Sequence, residues 1–392
     1  MLKRLLKQSH GMEPQRLVGH YVDAVRDLGA EDGSVFVVDL QQRELVEVRP
    51  DGSTGPTTLP VDTTLAGRAF MTSEVHSARI EDQVQLWVPV IDGADRLGML
   101  RVDLAAESFD DALVERFVTL GSLLAEMLVA RAQYTDAFGR AARRRPTTLA
   151  ADMQWALLPP LTLRTPRVAL SGMLEPAYDI GGDAFDYALN DDTLHLAVFD
   201  SMGHGLPATW AATIAVGSTR NSRRHDLSAA QAYVAADAAL RAEFDDLRFV
   251  TAHLATLALD TGTFRWVNAG HPAPLLIRGH TVHDTLNCAP SWPLGLGGEV
   301  VDQGEVVLQR GDRILFFTDG VTEARRPSGE AFGTTRLIDT VERTAMAGLG
   351  PAETMRRLSH EILDHHAHEL DDDFTIVLVE YTGGGPEEPG LG

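Results

Sequence analysis

Four stretches of this chain set aspartates where a carboxylate is costly to keep. Residues 194–199, LHLAVF, read as a buried strand, and the next residue is Asp200, followed by the loop SMGHG. Residues 313–318, RILFFT, lead in the same way into Asp319 and Gly320. The order reverses at DDDFTIVLV, where Asp371, Asp372 and Asp373 precede the apolar run. The fourth stretch, DIGGDAFD, puts Asp183 and Asp186 beside paired glycines. A carboxylate at the mouth of a buried strand loses hydration and needs a partner. Strands running in opposite directions can gather such ends at one rim, where like charges repel unless cations neutralise them. Each aspartate alone has an ordinary reading, since Asp before Gly is common in turns. Asp186 is the weakest of them, and residues 371–373 read as a solvated charge run but for the strand behind them. Four such edges in one domain favour a shared cation site. Oxygen donors without cysteine suit a hard divalent ion, Mg²⁺ or Mn²⁺.

The rest of the composition narrows the alternatives. A chain of 392 residues is long enough for about two domains. Its net charge of −22 argues against nucleic acid as a main partner. Cys288 is the single cysteine, so neither an intramolecular disulfide nor a cysteine metal site is expected. No apolar run approaches the roughly 20 residues of a membrane span. The start, MLKRLLKQSH, lacks a signal-peptide core, so a cytoplasmic protein without a membrane partner is expected.

Periodicity divides the chain in two. Residues 15–28 have helical spacing, strand-like segments follow at 34–39, 44–49, 85–90 and 98–103, and residues 51–56 read as a Gly/Pro-rich turn. Asp92-Gly93 is a hairpin signal. Residues 109–134 read as a long helix in which Leu120, Leu124, Met127 and Leu128 form an apolar stripe. Such a stripe at a domain end suits packing against a second copy, giving a homodimer, with packing on its own sheet as the alternative. An arginine-rich stretch and the short helix LAADMQWALLPP, stopped by two prolines, form the join. Strand patterns then dominate to residue 381, with helical stretches at 206–222, 228–243, 335–346 and 351–365, so the class is α+β. The expected division is 1–134, a small α+β module; 135–160, a linker with a short helix; 161–382, a strand-rich domain; and 383–392, a disordered tail.

The motifs YDIGGDAFDY, VFDSMGHGLPA, WVNAGHPAPLLIRG, PLGLG, GDRILFFTDGVTEAR and DDDFTIVLV, in this order, resemble the SpoIIE or RsbU-like branch of the metal-dependent PPM serine/threonine phosphatases. The resemblance implies an αββα β-sandwich flanked by helices. It implies Asp183, Asp200, Asp319 and Asp372 as catalytic metal ligands, with Ser201 ligating through its backbone carbonyl, around two Mn²⁺ or Mg²⁺ ions. Gly181, Gly182, Gly203 and Gly205 would then let backbone approach metal and phosphate. His204 stands four residues after Asp200, whereas some relatives carry a catalytic histidine two residues after it, so its role stays open. His271 reads as shaping a turn, and His365, His366 and His368, which resemble a metal cluster, read rather as a surface helix end suited to the helix dipole.

VDTTLAGRAFMTSE followed by QLWVPVIDGADRLGMLRVD is similar to a GAF domain, an α/β sensor fold that binds small ligands or partners or dimerises. The function implied is hydrolysis of phosphoserine or phosphothreonine on an anti-anti-sigma-factor-like protein in bacterial partner switching, under control of the sensor. The alternatives are a catalytically degenerate scaffold, disfavoured by the intact aspartates, and a metal-dependent nuclease or nucleotide hydrolase, disfavoured by the acidic chain.

Overall fold

The computed structural model describes residues 5, 7, 11–175, 178, 181–298, 301–326, 328–366 and 372–383. Asp371, His368 and the tail from 384 onward lie outside the described residues. The chain forms two compact units, Met1–Pro146 and Thr147–Gly392.

The first unit runs α1 (Leu17–Asp27), β1 (Asp32–Val38), β2 (Glu44–Val48), β3 (Thr54–Pro60), α2 (Leu65–Thr72), β4 (His76–Ile80), β5 (Gln83–Asp92), β6 (Asp95–Ala105), α3 (Asp111–Ala132) and α4 (Ala137–Ala142). The strands form one antiparallel sheet in the order β3-β2-β1-β6-β5-β4. Gly93, at φ +60°, turns the β5–β6 hairpin. Side chains from α1 and α3 pack with one set of strand residues, including Val35, Val37, Leu86 and Val88. Residues of α2 pack with the alternate set, Phe36, Trp87 and Met99. Two helix starts, those of α2 and α3, are capped by a side-chain oxygen: Thr64 Oγ1 accepts from Gly67 N and Asp110 Oδ1 from Leu113 N.

Two expectations are corrected here. Residues 51–56 do not remain a turn, because β3 starts at Thr54. This strand lies at the sheet edge, where Pro56 and Pro60 need no ladder donor on the open side. The stripe Leu120, Leu124, Met127 and Leu128 is not a free face for a second copy. All four side chains are buried in their own unit's core, and Tyr21 Oη of α1 donates to Met127 Sδ at 3.2 Å.

The stretch 135–160 is shared between the units. Phe138 and Ala141 of α4 belong to the core of the first. The second unit opens with α5 (Leu149–Leu157), capped by Thr148, and continues through β7 (Thr162–Arg164), β8 (Val168–Glu175), β9 (Ala184–Asn190) and β10 (Thr193–Ser201). Next come α6 (Leu206–Arg224), α7 (Ala229–Glu243), β11 (Val250–Ala258), β12 (Thr263–Ala269), β13 (Leu275–Arg278), β14 (Thr281–Thr285), β15 (Gly304–Val307) and β16 (Arg313–Phe317). It closes with α8 (Asp319–Glu323), α9 (Gly333–Met346), α10 (Pro351–His365) and β17 (Phe374–Tyr381). Two sheets result, β15-β12-β11-β10-β9 and β14-β13-β16-β17-β8-β7.

Strand alternation builds the layers. Leu194, Leu196 and Val198 of β10 meet Val377 and Val379 of β17 in a core between the sheets. The intervening Ala197 and Phe199 pack under α6 and α7, and Ile376 and Leu378 under α9 and α10. The order is therefore helices, sheet, sheet, helices. No helix among the described residues is long and apolar enough to cross a membrane.

Candidate metal centre

Strand direction decides which ends meet. β9 and β10 are antiparallel, with Ala184 opposite Phe199, so Asp183 stands beside the end of β10 that carries Asp200 and Ser201. In the second sheet β16 and β17 are antiparallel, with Phe317 opposite Ile376. Asp319, just past β16, thereby approaches Asp372 and Asp373, just before β17. Gly320 is required by close approach, since a Cβ there would lie 2.1 Å from the carbonyl oxygen of Asp373.

The two sheets are tied together at this rim. Asp373 Oδ2 accepts from the backbone N–H of Asp183 at 2.7 Å and from Gln154 Nε2 at 3.0 Å. Gln154, on α5 and fully buried, also donates to the carbonyl of Asp183 at 2.6 Å. Thr318 Oγ1 donates to Asp183 Oδ2 at 2.8 Å and accepts from Thr375 N at 2.9 Å. Asp373, Gln154 and Thr318 were not singled out from the sequence as site residues. The third aspartate of DDDF and the threonine before Asp319 were visible there; nothing local marked Gln154.

Electrostatics follow from this crowding. Asp183 is held well above the usual carboxylate range, first by burial and then by the charges of Asp373 and Asp200, while the Thr318 hydrogen bond acts in the opposite direction. Asp200 is pushed up to about 8, by burial and then by Asp319, Asp373 and Asp372. Burial, then Asp372, raises Asp319, which shares a hydrogen bond with Asp200. Asp372 rises to about 6 through burial and then Asp373, and the charge of His204 partly offsets this. Among the described residues no lysine or arginine pairs with these carboxylates. Among the described residues no three histidine, cysteine or carboxylate side chains are arranged to hold a metal ion. The donor chemistry nevertheless fits a hard divalent cation: it is all oxygen, anionic, and short of positive charge.

Asp186, His271, His365 and His366 fall outside this group, whereas Ser201 ends β10 beside Asp200. Asp186 is buried and anchors α6 to β9, taking Arg220 Nε at 2.9 Å and Arg223 Nη1 at 2.7 Å. Ser201 has a buried side chain, and His204 is exposed between Gly203 at φ +83° and Gly205 at φ +74°. The Asn268 side chain closes a turn on His271, accepting from its N–H at 2.8 Å and donating to its carbonyl at 3.0 Å. His365 and His366 are not at a surface helix end; both are buried. His365 packs edge-on against Phe332 at 5.5 Å, because the segment from Glu330 to Phe332 lies against the end of α10.

Known proteins share this half of the chain. Residues 190–382 match the family model for stage II sporulation protein E (SpoIIE). Phosphoserine phosphatase RsbU of Bacillus subtilis is 23% identical over 236 residues, which cover 59% of this chain and 68% of RsbU. The second unit is thus similar in sequence to SpoIIE-type domains. The SiaA-PP2C domain of Pseudomonas aeruginosa superposes with a TM-score of 0.50 at 21% identity, over 59% of this chain and 94% of that one. The second unit thus has a PP2C-like fold. The RsbU and RsbW domains of Rv1364c from Mycobacterium tuberculosis align with a TM-score of 0.49 at 24% identity, over 56% of this chain. The match spans 63% of that crystallised chain, less than two thirds of its length.

Proposed function

We propose that this chain is a metal-dependent protein phosphatase acting on phosphoserine or phosphothreonine of a regulatory protein. The observation that carries the reading is the rim itself. Carboxylates from both sheets converge with raised proton affinity and no basic partner among the described residues. In this reading Asp183, Asp200, Asp319 and Asp372, with the carbonyl of Ser201, hold two Mn²⁺ or Mg²⁺ ions. Bound there, such ions supply an activated water at neutral pH and offset the charge of the phosphate. The chain's own part is to hold the carboxylates ready. Thr318 fixes one oxygen of Asp183, and Asp373 grips its backbone.

The partner class, a phosphorylated anti-anti-sigma-factor-like protein in partner switching, is supported by the likeness to RsbU. Regulation by the first unit is supported by its sheet-and-helix architecture, which suits a GAF-like sensor. It is supported also by the bonds that α5 makes to the rim. Hydrolysis of para-nitrophenyl phosphate tests the core of the proposal. Activity should need Mn²⁺ or Mg²⁺ and vanish with chelator, and Asp200→Asn should lower it by at least 100-fold with an unchanged circular dichroism spectrum. Full activity in that variant would refute the assignment.

A further inference from the structure

Directly opposite Asp200 in the ladder of β10 and β11 stands Thr251. Residues opposite one another in an antiparallel pair share a face, with Cβ atoms about 4.5–5.5 Å apart. Here it is the inner face: Leu196 and Val198 precede Asp200 on it, and Ala255 and Leu257 follow Thr251, all four in the core between the sheets. Thr251 is half-buried, and its Oγ1 lies 2.7 Å from Nδ1 of His271, in the connection between β12 and β13. That histidine has little freedom. Asn268 clamps its main chain, and its ring meets His253 edge-on. His253 in turn meets Phe316 of β16 at 5.8 Å, so the two rings lie between the sheets. Only 4% of His271 is exposed. Its Nε2 has no close hydrogen-bond partner among the described residues, and the backbone of Phe317, at the end of β16, favours a proton on the ring. A neutral imidazole that turns its N–H toward that carbonyl accepts at Nδ1, so the hydroxyl of Thr251 donates to it. An apolar side chain would fill this buried place at less cost, so stability does not account for the histidine.

We propose that Thr251 and His271 are positioning residues of the metal centre: His271 holds the hydroxyl proton of Thr251 away from Asp200, and the Thr251 oxygen is kept as a neutral acceptor beside that carboxylate. The inference rests on the metal-centre reading and extends it to a pair of residues outside the aspartate set. Left unrestrained, the hydroxyl would donate to Asp200 and compete with a cation for its lone pairs. Held by His271, it leaves those lone pairs to the cation. It also offers an uncharged oxygen, which suits a hard divalent ion and its water without adding to the repulsion among the aspartates.

The test measures Mn²⁺ binding to the full chain by isothermal titration calorimetry, beside metal-free thermal unfolding and turnover of para-nitrophenyl phosphate. Thr251→Val keeps the branched shape that suits a strand and removes the oxygen. It should raise the Mn²⁺ Kd about fivefold, the scale of one hydrogen bond between neutral groups. It should lower kcat with KM unchanged, while the metal-free Tm holds or rises. Thr251→Ser, which keeps the hydroxyl, should recover most of the loss. His271→Asn, whose Oδ1 accepts where Nδ1 does, should bind Mn²⁺ more tightly than His271→Leu. Thr251→Val combined with His271→Leu should lose no more Mn²⁺ affinity than the weaker-binding single variant, because both act through one bond. A Kd within twofold of wild type in Thr251→Val, losses that simply add in the double variant, or Thr251→Ser behaving like Thr251→Val would overturn the proposal. Asp200→Asn tests the reading beneath it. If the wild type binds no Mn²⁺, or Asp200→Asn binds it as the wild type does, the metal centre itself falls and this proposal with it.

Discussion

At the scale of single residues, Asp186 is buried in an ion pair whereas His253 is buried neutral. Its Nε2 donates to the carbonyl of Pro272 at 2.8 Å, and its ring meets His271 edge-on at 5.3 Å. Burial lowers it from an ordinary 6.5 to about 4, and burial followed by the charge of His253 holds His271 well below its usual range. Folded, each binds fewer protons than unfolded. Their contribution is therefore intact above pH 6.5 and is lost as pH falls through the folded values. For His253 alone the loss is on the order of 3 kcal/mol. Denaturant titrations at pH 7 and pH 4.5 should show wild type losing more stability than His253→Gln, whose amide keeps the donor without titrating. Equal losses would show that the pair is not responsible.

At the scale of elements, α5 is the piece whose position matters most to the site. Thr148 N bonds to the carbonyl of Tyr178, and Gln154 reaches both Asp183 and Asp373. The helix thereby spans the segment that delivers Asp183 to the rim. Gln154→Ala removes two hydrogen bonds from buried acceptors, worth about 1–3 kcal/mol each when the acceptor is left unmet. The expected result is a fall in kcat of tenfold or more on para-nitrophenyl phosphate and a higher Mn²⁺ concentration for half-activity, with Gln154→Glu failing to rescue because it places a further negative charge against Asp373. A variant with wild-type metal dependence would separate α5 from the site. By contrast α3, whose apolar stripe suggested a dimer, is committed to its own unit. Its Leu124 is fully buried there, so charging it would unfold that unit rather than split an interface.

At the scale of the whole molecule, the metal-free chain carries a cluster of carboxylates it cannot neutralise alone. Raised carboxylates contribute the opposite pH dependence to the histidines. Their stabilising effect is present below the ordinary value near 3.8 and is lost as pH rises through about 6 for Asp372 and about 8 for Asp200. A cation that binds only the folded state stabilises it by about 2.7 kcal/mol at a hundred times its Kd. In a unit of this size that is roughly 5–10 °C in Tm. Differential scanning fluorimetry should show Mn²⁺ raising Tm more at pH 8 than at pH 5.5, and little in Asp200→Asn. An equal rise in that variant would place the ion elsewhere.

The alternation of apolar residues and the aspartates at strand mouths belong to the amino-acid order, because side-chain period and desolvation cost act within a few residues. They suffice to mark the second half of the chain as strand-rich, and to bring the aspartates at four strand edges under suspicion together. Which partner covers an apolar face is not local information. The stripe of α3 reads the same whether it meets a second copy or β5, and tertiary packing chose the latter. An edge strand such as β3 hides behind prolines because only its place in the sheet makes them tolerable. The bonds that organise the rim join residues 190 and 219 positions apart, Asp183 and Gln154 each to Asp373. No periodicity reports such a pair; the folding of the two sheets onto each other brings it about, where buried donors and acceptors must find partners or cost free energy.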